Sequence, residues 1–329
     1  MKKWHFTLLL WLGLSLIGSL SPVKAQGGFA RYAGEFLNLE TSARVQALGG
    51  AGTVLQQDIS TVQYNPASLI TLPSFQFALM HAWQFVDFVN FDFAAAGYRL
   101  DTHRVVAISI SRLGVENILD TRQAQIIYGD TWRLDWSRIT QFSTADYVIT
   151  MAFAQKSERW GNIGLATRLV YRDFGDVQAW GVGVDVGGQW LVASHWQIAA
   201  VIRNVTTTLI NWSNGTREFV APQFRIGTTY VLSLSSFNSR ISPVLELVFN
   251  TVKQTTTYQS GVRNALMELV GGVEWQYRQT LSFRVGMDGL GRFTAGIGVQ
   301  IPHIRFDYAF LSFSDELGNA HRIGMVVSL

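Results

Sequence analysis

The chain has 329 residues, of which 48% are hydrophobic, 13% aromatic and 15% charged, with no cysteine; a soluble protein usually carries roughly 25% charged residues, and disorder needs low hydrophobicity. Mean hydropathy is +0.16, yet beyond the N-terminus no uncharged apolar run approaches the roughly 18 residues of a membrane-spanning helix. Formal net charge is +3, and the missing cysteines exclude thiol catalysis, zinc–cysteine sites and iron–sulfur clusters.

The chain opens on a basic pair, Lys2 and Lys3, followed by the apolar run Phe6 to Ile17 and by Val23-Lys24-Ala25. This is the order of a secretory signal peptide, with cleavage expected before Gln26, so residues 1–25 are read as signal. Its removal takes away three lysines and no acid, leaving a formal charge of zero. The basic excess belongs to the leader, and nucleic acid is not an expected partner. Apart from Lys156 and Lys253 the remaining bases are arginines, whose planar fork suits fixed carboxylate pairs.

Residues 26–73 differ from everything after them. Thr41 or Ser42 would cap a short helix ended by Gly49-Gly50, and Asn65 would cap a turn with Pro66 in first position. The segment is too long for a leader and too polar for lipid, so it is expected to sit as a partly helical hatch inside a barrel.

From Ser74 onward the residues alternate with period two. Trp180, Val182, Val184, Val186, Gly188 and Trp190 share one face, while Gly181, Gly183, Asp185, Gly187 and Gln189 share the other. Leu281, Phe283, Val285 and Met287 oppose Ser282, Arg284, Gly286 and Asp288 in the same way. Apolar faces ending in aromatic girdles are the lipid side of a transmembrane barrel, which is also apolar on average yet never for long. The alternation predicts fourteen strands, at 74–82, 90–100, 104–113, 144–155, 161–172, 178–191, 195–203, 222–232, 241–250, 266–278, 280–287, 292–301, 303–312 and 321–329. The fold class is thus all-β, an antiparallel transmembrane barrel over 74–329. Short turns alternate with the long stretches 114–143, 204–221 and 251–265, as periplasmic turns alternate with outer loops.

The polar faces should line a lumen with Arg168, Arg172, Asp185, Arg225, Glu246, Glu268, Glu274, Arg284, Arg305, Asp307 and Arg322, a neutralised network or a polar ligand path. Arg44 of the hatch is a candidate partner for a wall carboxylate such as Glu274 or Asp307. The long stretch 114–143 carries Ile126, Tyr128, Trp132, Arg133 and Trp136; aromatics beside arginine are the composition of a protein-binding hot spot, and a lid over the pore is the other reading. No histidine pair has ligand spacing on one element, and the glycine pairs are not followed by the helix a dinucleotide site needs. No metal, cofactor or catalytic residue is expected.

Phe36-Leu37-Asn38-Leu39-Glu40-Thr41-Ser42-Ala43-Arg44, followed by Ala47-Leu48-Gly49-Gly50-Ala51, resembles the N-terminal signature of the PorV/PorQ family of outer-membrane proteins. Asp58 and Tyr64-Asn65-Pro66-Ala67-Ser68-Leu69 are similar to that family's acidic residue and Asn-Pro-Ala motif. Phe306-Asp307-Tyr308-Ala309 and Leu317 to Ile323 look like its last two strands. The resemblance implies a barrel like those of the long-chain fatty acid transporters, with fourteen strands and an N-terminal hatch. It also implies a non-enzymatic role in type IX secretion, binding secreted cargo and other components of that system beside outer-membrane lipid. The competing expectation is a transporter of fatty acids or another hydrophobic small molecule, which would need an apolar pocket beneath the loops and a side opening in the wall.

Overall fold

A computed structural model of the chain describes residues 34–84, 89–128, 131–251, 267–313 and 319–329. The expected signal segment, the first residues of the expected hatch, and nearly all of the stretch 251–265 lie outside them.

Fourteen antiparallel strands close into a barrel. They are β1 Phe75–Gln84, β2 Val89–Arg99, β3 Arg104–Asp120, β4 Thr140–Ser157, β5 Gly161–Asp173, β6 Gln178–Ala193 and β7 Trp196–Arg203. The ring continues with β8 Gln223–Tyr230, β9 Ser239–Asn250, β10 Met267–Tyr277, β11 Leu281–Met287, β12 Phe293–Ile301, β13 Ile304–Leu311 and β14 Ala320–Ser328. β14 pairs back onto β1, with Val327 opposite Phe77, so the ring closes on itself without an open edge between its first and last strands. No helix among the described residues is long and apolar enough to cross a membrane; the strands do so instead.

The alternation sorts the side chains as read from the sequence. Trp180, Val182, Val186 and Trp190 of β6 are exposed, while Gly181, Gly183, Asp185, Gly187 and Gln189 are buried. Trp180 and Trp190 are ten residues apart on one strand, about 33 Å of chain and about 25 Å along the axis at a tilt near 40°, the height of an apolar band between two girdles. At the upper girdle Tyr147, Tyr171 and Trp180 stack across three strands, with ring centroids 6.1 and 4.4 Å apart.

Two long connections depart from the sequence expectation. The stretch 114–143 is mostly strand. β2 stops pairing at Val115, and β3 and β4 continue as a hairpin above the rim, where Ile118 faces Phe142. A bulge after Val115, with Asn117 at φ 59°, breaks the alternation there and hid the strand. A small second hairpin, Gln125–Tyr128 with Thr131–Leu134, tops it. The stretch 204–221 folds into the hairpin Thr208–Trp212 and Arg217–Val220, which continues the wall beside β6.

Residues 34–73 lie within the ring. They form one α-helix, α1 (Ala43–Ala47), and 3-10 turns at Glu35–Asn38, Ile59–Gln63 and Pro66–Thr71. Ser42 caps α1 by accepting from the Val45 amide, and Asn65 caps the last turn by accepting from the Ala67 amide at 3.0 Å. α1 packs on β11–β14, Ile59–Gln63 on β1–β4, and Pro66–Thr71 on β3–β6. Val45, Leu48, Val54, Ile59 and Leu69 are fully buried, each contributing about 1.5–3 kcal/mol relative to exposure. The lumen glycines admit this segment: a Cβ at Gly164 would lie 2.3 Å from the Ala67 amide nitrogen, and one at Gly187 would lie 1.9 Å from Asn65 Oδ1.

Candidate functional site

The eleven charged residues assigned to the lumen all point inward, as their parity requires, and the structure sorts them into clusters. The largest joins the inner segment to the wall in a closed ring of alternating charge. Arg44 lies on Glu274 of β10, with Nε to Oε2 at 2.9 Å and Nη2 to Oε1 at 2.8 Å. Arg284 of β11 bridges Glu274 at 2.6 Å and Asp307 of β13 at 2.7 Å. Arg305 bridges Asp307 at 2.7 Å and Asp58 at 2.5 Å, and Asp58 lies 3.8 Å from Arg44. Three guanidiniums thus meet three carboxylates. Arg44 reaches Glu274, one of the two carboxylates named from the sequence, and not Asp307. Gly298 leaves the space the ring occupies, since a Cβ there would sit 2.5 Å from Asp307 Oδ1.

Other clusters fasten the same segment elsewhere. Glu246, fully buried, accepts from the Thr53 amide at 2.9 Å and from Arg225 at 3.1 Å. Arg322 donates to Gln46 at 2.6 Å. The Asn65 side chain donates to the Thr53 and Gly188 carbonyls at 3.1 and 3.2 Å. Glu268 accepts from Asn250 at 3.0 Å on the wall itself. Ala43, Leu48 and Pro66 are buried packing residues, and Ala67 backs onto Gly164. Gly49 and Gly50, at φ 71° and 87°, end α1. The remaining lumen is apolar near the upper rim, where Phe36 and Leu37 pack with Val148, Val170, Ile210 and Val220. Arg172 closes this cluster, paired with Asp146 at 2.5 Å and Glu218 at 3.2 Å, its guanidinium 4.6 Å from the Phe36 ring centroid.

Beside that apolar cluster the ladder of the wall is interrupted. On β6, Val186 faces Ile202 but Val182 faces Leu209. β6 advances four residues there while its partner advances seven. The surplus is taken up by a bulge at Asn204–Thr207, with Asn204 and Thr207 at φ 55° and 59° and Val205 exposed. Polar side chains fill the gap: Arg168, 1% exposed, binds Asp185 and donates to Asn204 at 3.0 Å, and Thr208 donates to Asn204 at 2.9 Å.

The geometry also uses residues beyond those expected from the sequence. Arg203 donates to the Leu37 carbonyl at 2.7 Å; it lies within the predicted strand 195–203 on the inward parity shared with Ala199 and Val201, which is the signal that marks it. Asp58 was singled out only through its resemblance. Asn204 and Thr208 carry no local signal. On the upper hairpin, Trp132 and Trp136 are 67% and 76% exposed, Arg133 is exposed and Ile126 is half-buried; the Tyr128 side chain lies outside the described residues. Asp135 caps the turn at Trp136, and hydrogen bonds from Ser137 hold its carboxyl below the usual range.

The fold is that of outer-membrane transporter barrels. No family model and no curated protein matches the chain. Among solved structures it is similar to the toluene transporter TbuX of Ralstonia pickettii, at 14% identity over 88% of this chain and 98% of that one, with a TM-score of 0.56. It is also similar to the toluene transporter TodX of Pseudomonas putida, at 11% identity over 88% and 98%, with a TM-score of 0.57. The monoaromatic hydrocarbon channel CymD covers 92% of this chain and 99% of its own, at 11% identity and a TM-score of 0.52.

Proposed function

We propose that the protein is an outer-membrane channel for small hydrophobic molecules, closed along its axis by residues 26–73 acting as a hatch and opening sideways at the wall interruption. The observation that carries this is the pairing of the two features. Among the described residues the charge ring and the buried segment 34–73 lie across the lumen, whereas the bulge at Asn204–Thr207 lies beside the apolar cluster of Phe36, Leu37, Val170 and Ile210. A hydrocarbon partitioning into that cluster would leave through the wall into lipid without meeting the polar ring below. The likeness to hydrocarbon channels supports the same reading.

A crosslink tests it. A Cβ on Gly183 would lie 3.3 Å from Thr208 Cβ, close to the separation of about 3.5–4.5 Å in disulfides. Because the chain has no cysteine, the pair Gly183→Cys and Thr208→Cys would form the one possible bridge. Uptake of labelled toluene by cells expressing the oxidised variant should stop and return on reduction. Equal uptake in both states would remove the lateral route.

A second reading, a binding barrel of type IX secretion, is supported by the PorV/PorQ-like motifs and by the exposed Trp132 and Trp136. Its test is affinity isolation from the native outer membrane with and without Trp132→Ala and Trp136→Ala. Tryptophan-dependent recovery of secreted proteins supports this reading; recovery of none counts against it.

A further inference from the structure

Below the charge ring, on the side of the short turns, the lumen widens into a cavity of about 790 Å³. Its walls are unlike those of the apolar cluster above. Gln56, Gln57, Gln76, Gln197, Gln276 and Gln300 line it together with serines and threonines, interleaved with aliphatic residues such as Val54, Leu55, Val231, Val244 and Val326, and no aromatic ring among the described residues does. Five arginines border it, and three of them, Arg44, Arg284 and Arg305, are neutralised within the ring. The other two are not. Arg99 donates to the Ile70 and Leu72 carbonyls, which carry no net charge. Arg240 stands exposed on the inward face of β9, opposite Gln276. No described acid lies within ion-pair distance of either, so the side chains of the vestibule carry a surplus of two positive charges. Gln197, nine-tenths buried, also has an Oε1 without a hydrogen-bond partner among the described residues.

We propose that this vestibule docks an extended acidic peptide segment presented from the side of the short turns, with a carboxylate on Arg240 and a second on Arg99. The amide-bearing walls match the alternating donors and acceptors of a peptide backbone. The absence of aromatic rings among the described lining residues disfavours nucleobases, which bind by stacking. The lining is mixed, but its six glutamines and two unneutralised arginines suit a hydrocarbon less well than the apolar cluster above. The volume is in the upper part of the roughly 300–1,000 Å³ of small-molecule sites, room for several residues rather than one dicarboxylate. The proposal is independent of what crosses the wall.

The test uses the full barrel in detergent and a fluorescein-labelled hexapeptide of alternating aspartate and serine, read by anisotropy at low salt. Saturable binding is expected, weakened about tenfold by Arg240→Glu and less by Arg240→Gln, and unchanged by Arg133→Gln on the upper hairpin. A lysine–serine hexapeptide should not bind. Because Arg240 is exposed, its variants should keep the heat-modifiable mobility of the folded barrel, which is checked on each. Absence of saturable binding, full binding by folded Arg240→Glu, or competition by free succinate as strong as by unlabelled peptide would each overturn the proposal.

Discussion

The guanidinium of Arg44 and the carboxylate of Glu274 meet fork to fork across 230 residues of sequence, at 2.9 and 2.8 Å. One belongs to the inner segment and the other to the wall, so the pair is a fastening whose removal frees one part from the other. Arg44→Glu would place a second carboxylate against Glu274 and within reach of Asp58. Breaking a fully buried ion pair costs about 3–5 kcal/mol; this pair keeps 15% and 11% of its side-chain surface exposed, so the loss is smaller, and it falls on the inner segment rather than on the strand ladders. Higher conductance in planar bilayers and protease cleavage within residues 34–73 are expected, with the barrel ladder intact. Adding Glu274→Arg to Arg44→Glu should recover part of the closure. Unchanged conductance and cleavage in the single variant would show that the ring does not hold the segment.

Two adjacent glycines should respond differently to alanine. Gly50 needs only its left-handed φ, because the nearest atom to an added Cβ is the flexible Glu40 Oε1 at 2.9 Å; Gly50→Ala should cost about 1–2 kcal/mol. Gly49 shares the backbone requirement, but its Cβ would also lie 2.1 Å from the Met287 carbonyl of the wall. Gly49→Ala therefore adds an overpacking cost of about 1–3 kcal/mol. Urea unfolding of the two variants in detergent gives the order directly, and equal midpoints would contradict the close approach of α1 to β11.

The strands were legible because a barrel wall is a local pattern: Trp180 to Trp190 announce lipid and lumen within one decade of sequence, whatever the neighbours are. Inward charge was legible for the same reason. Of the pairing of those charges only Arg44 with Glu274 was among the expectations, as one of two choices; the closed ring was not, since Asp58, Arg284, Arg305 and Asp307 come from separate segments and converge only when the barrel closes. The register slip was also invisible, because the strand before Asn204 and the hairpin after Thr207 each alternate correctly on their own. Above the rim, one bulge at Asn117 was enough to make strand read as loop.

The upper hairpin should loosen in acid. Asp120 stands on β3 beyond its last pairing with β2, and Arg122 donates to it at 2.6 Å while also reaching Asp176 at the β5–β6 connection. Hydrogen bonds from Arg122, from its side chain first and then its backbone amide, hold the Asp120 carboxyl down at about 2. A depressed carboxyl contributes stability above its unfolded value, near 3.9, and loses it as pH falls through the folded one. Protection of residues 114–143 from an acid-active protease should therefore fall between about pH 4 and pH 2, and Asp120→Asn should show the acid behaviour at neutral pH. A pH-independent difference between the two proteins would argue against this pair as the fastening.

Closing the wall by redesign should separate passage from stability. β6 runs from Val186 to Val182 while its partner runs from Ile202 to Leu209, so the partner carries three residues more than an even ladder needs. Deleting residues 205–207 would set Thr208 opposite Gly183 in the register already held by Ile202 and Val186, with Thr208 still facing inward. Asn204 would then face lipid, so Asn204→Val accompanies the deletion. Arg168 keeps Asp185, its carboxylate partner. The new ladder pairs backbone groups that now rely on Asn204 and on the single bond from the Val205 amide to the Val184 carbonyl at 2.8 Å. With the bulge gone, thermal stability in detergent should be equal or higher, since hydrogen bonds replace an interruption. Uptake of labelled toluene should nevertheless be lost. Undiminished uptake through an uninterrupted wall would move the exit elsewhere in the barrel.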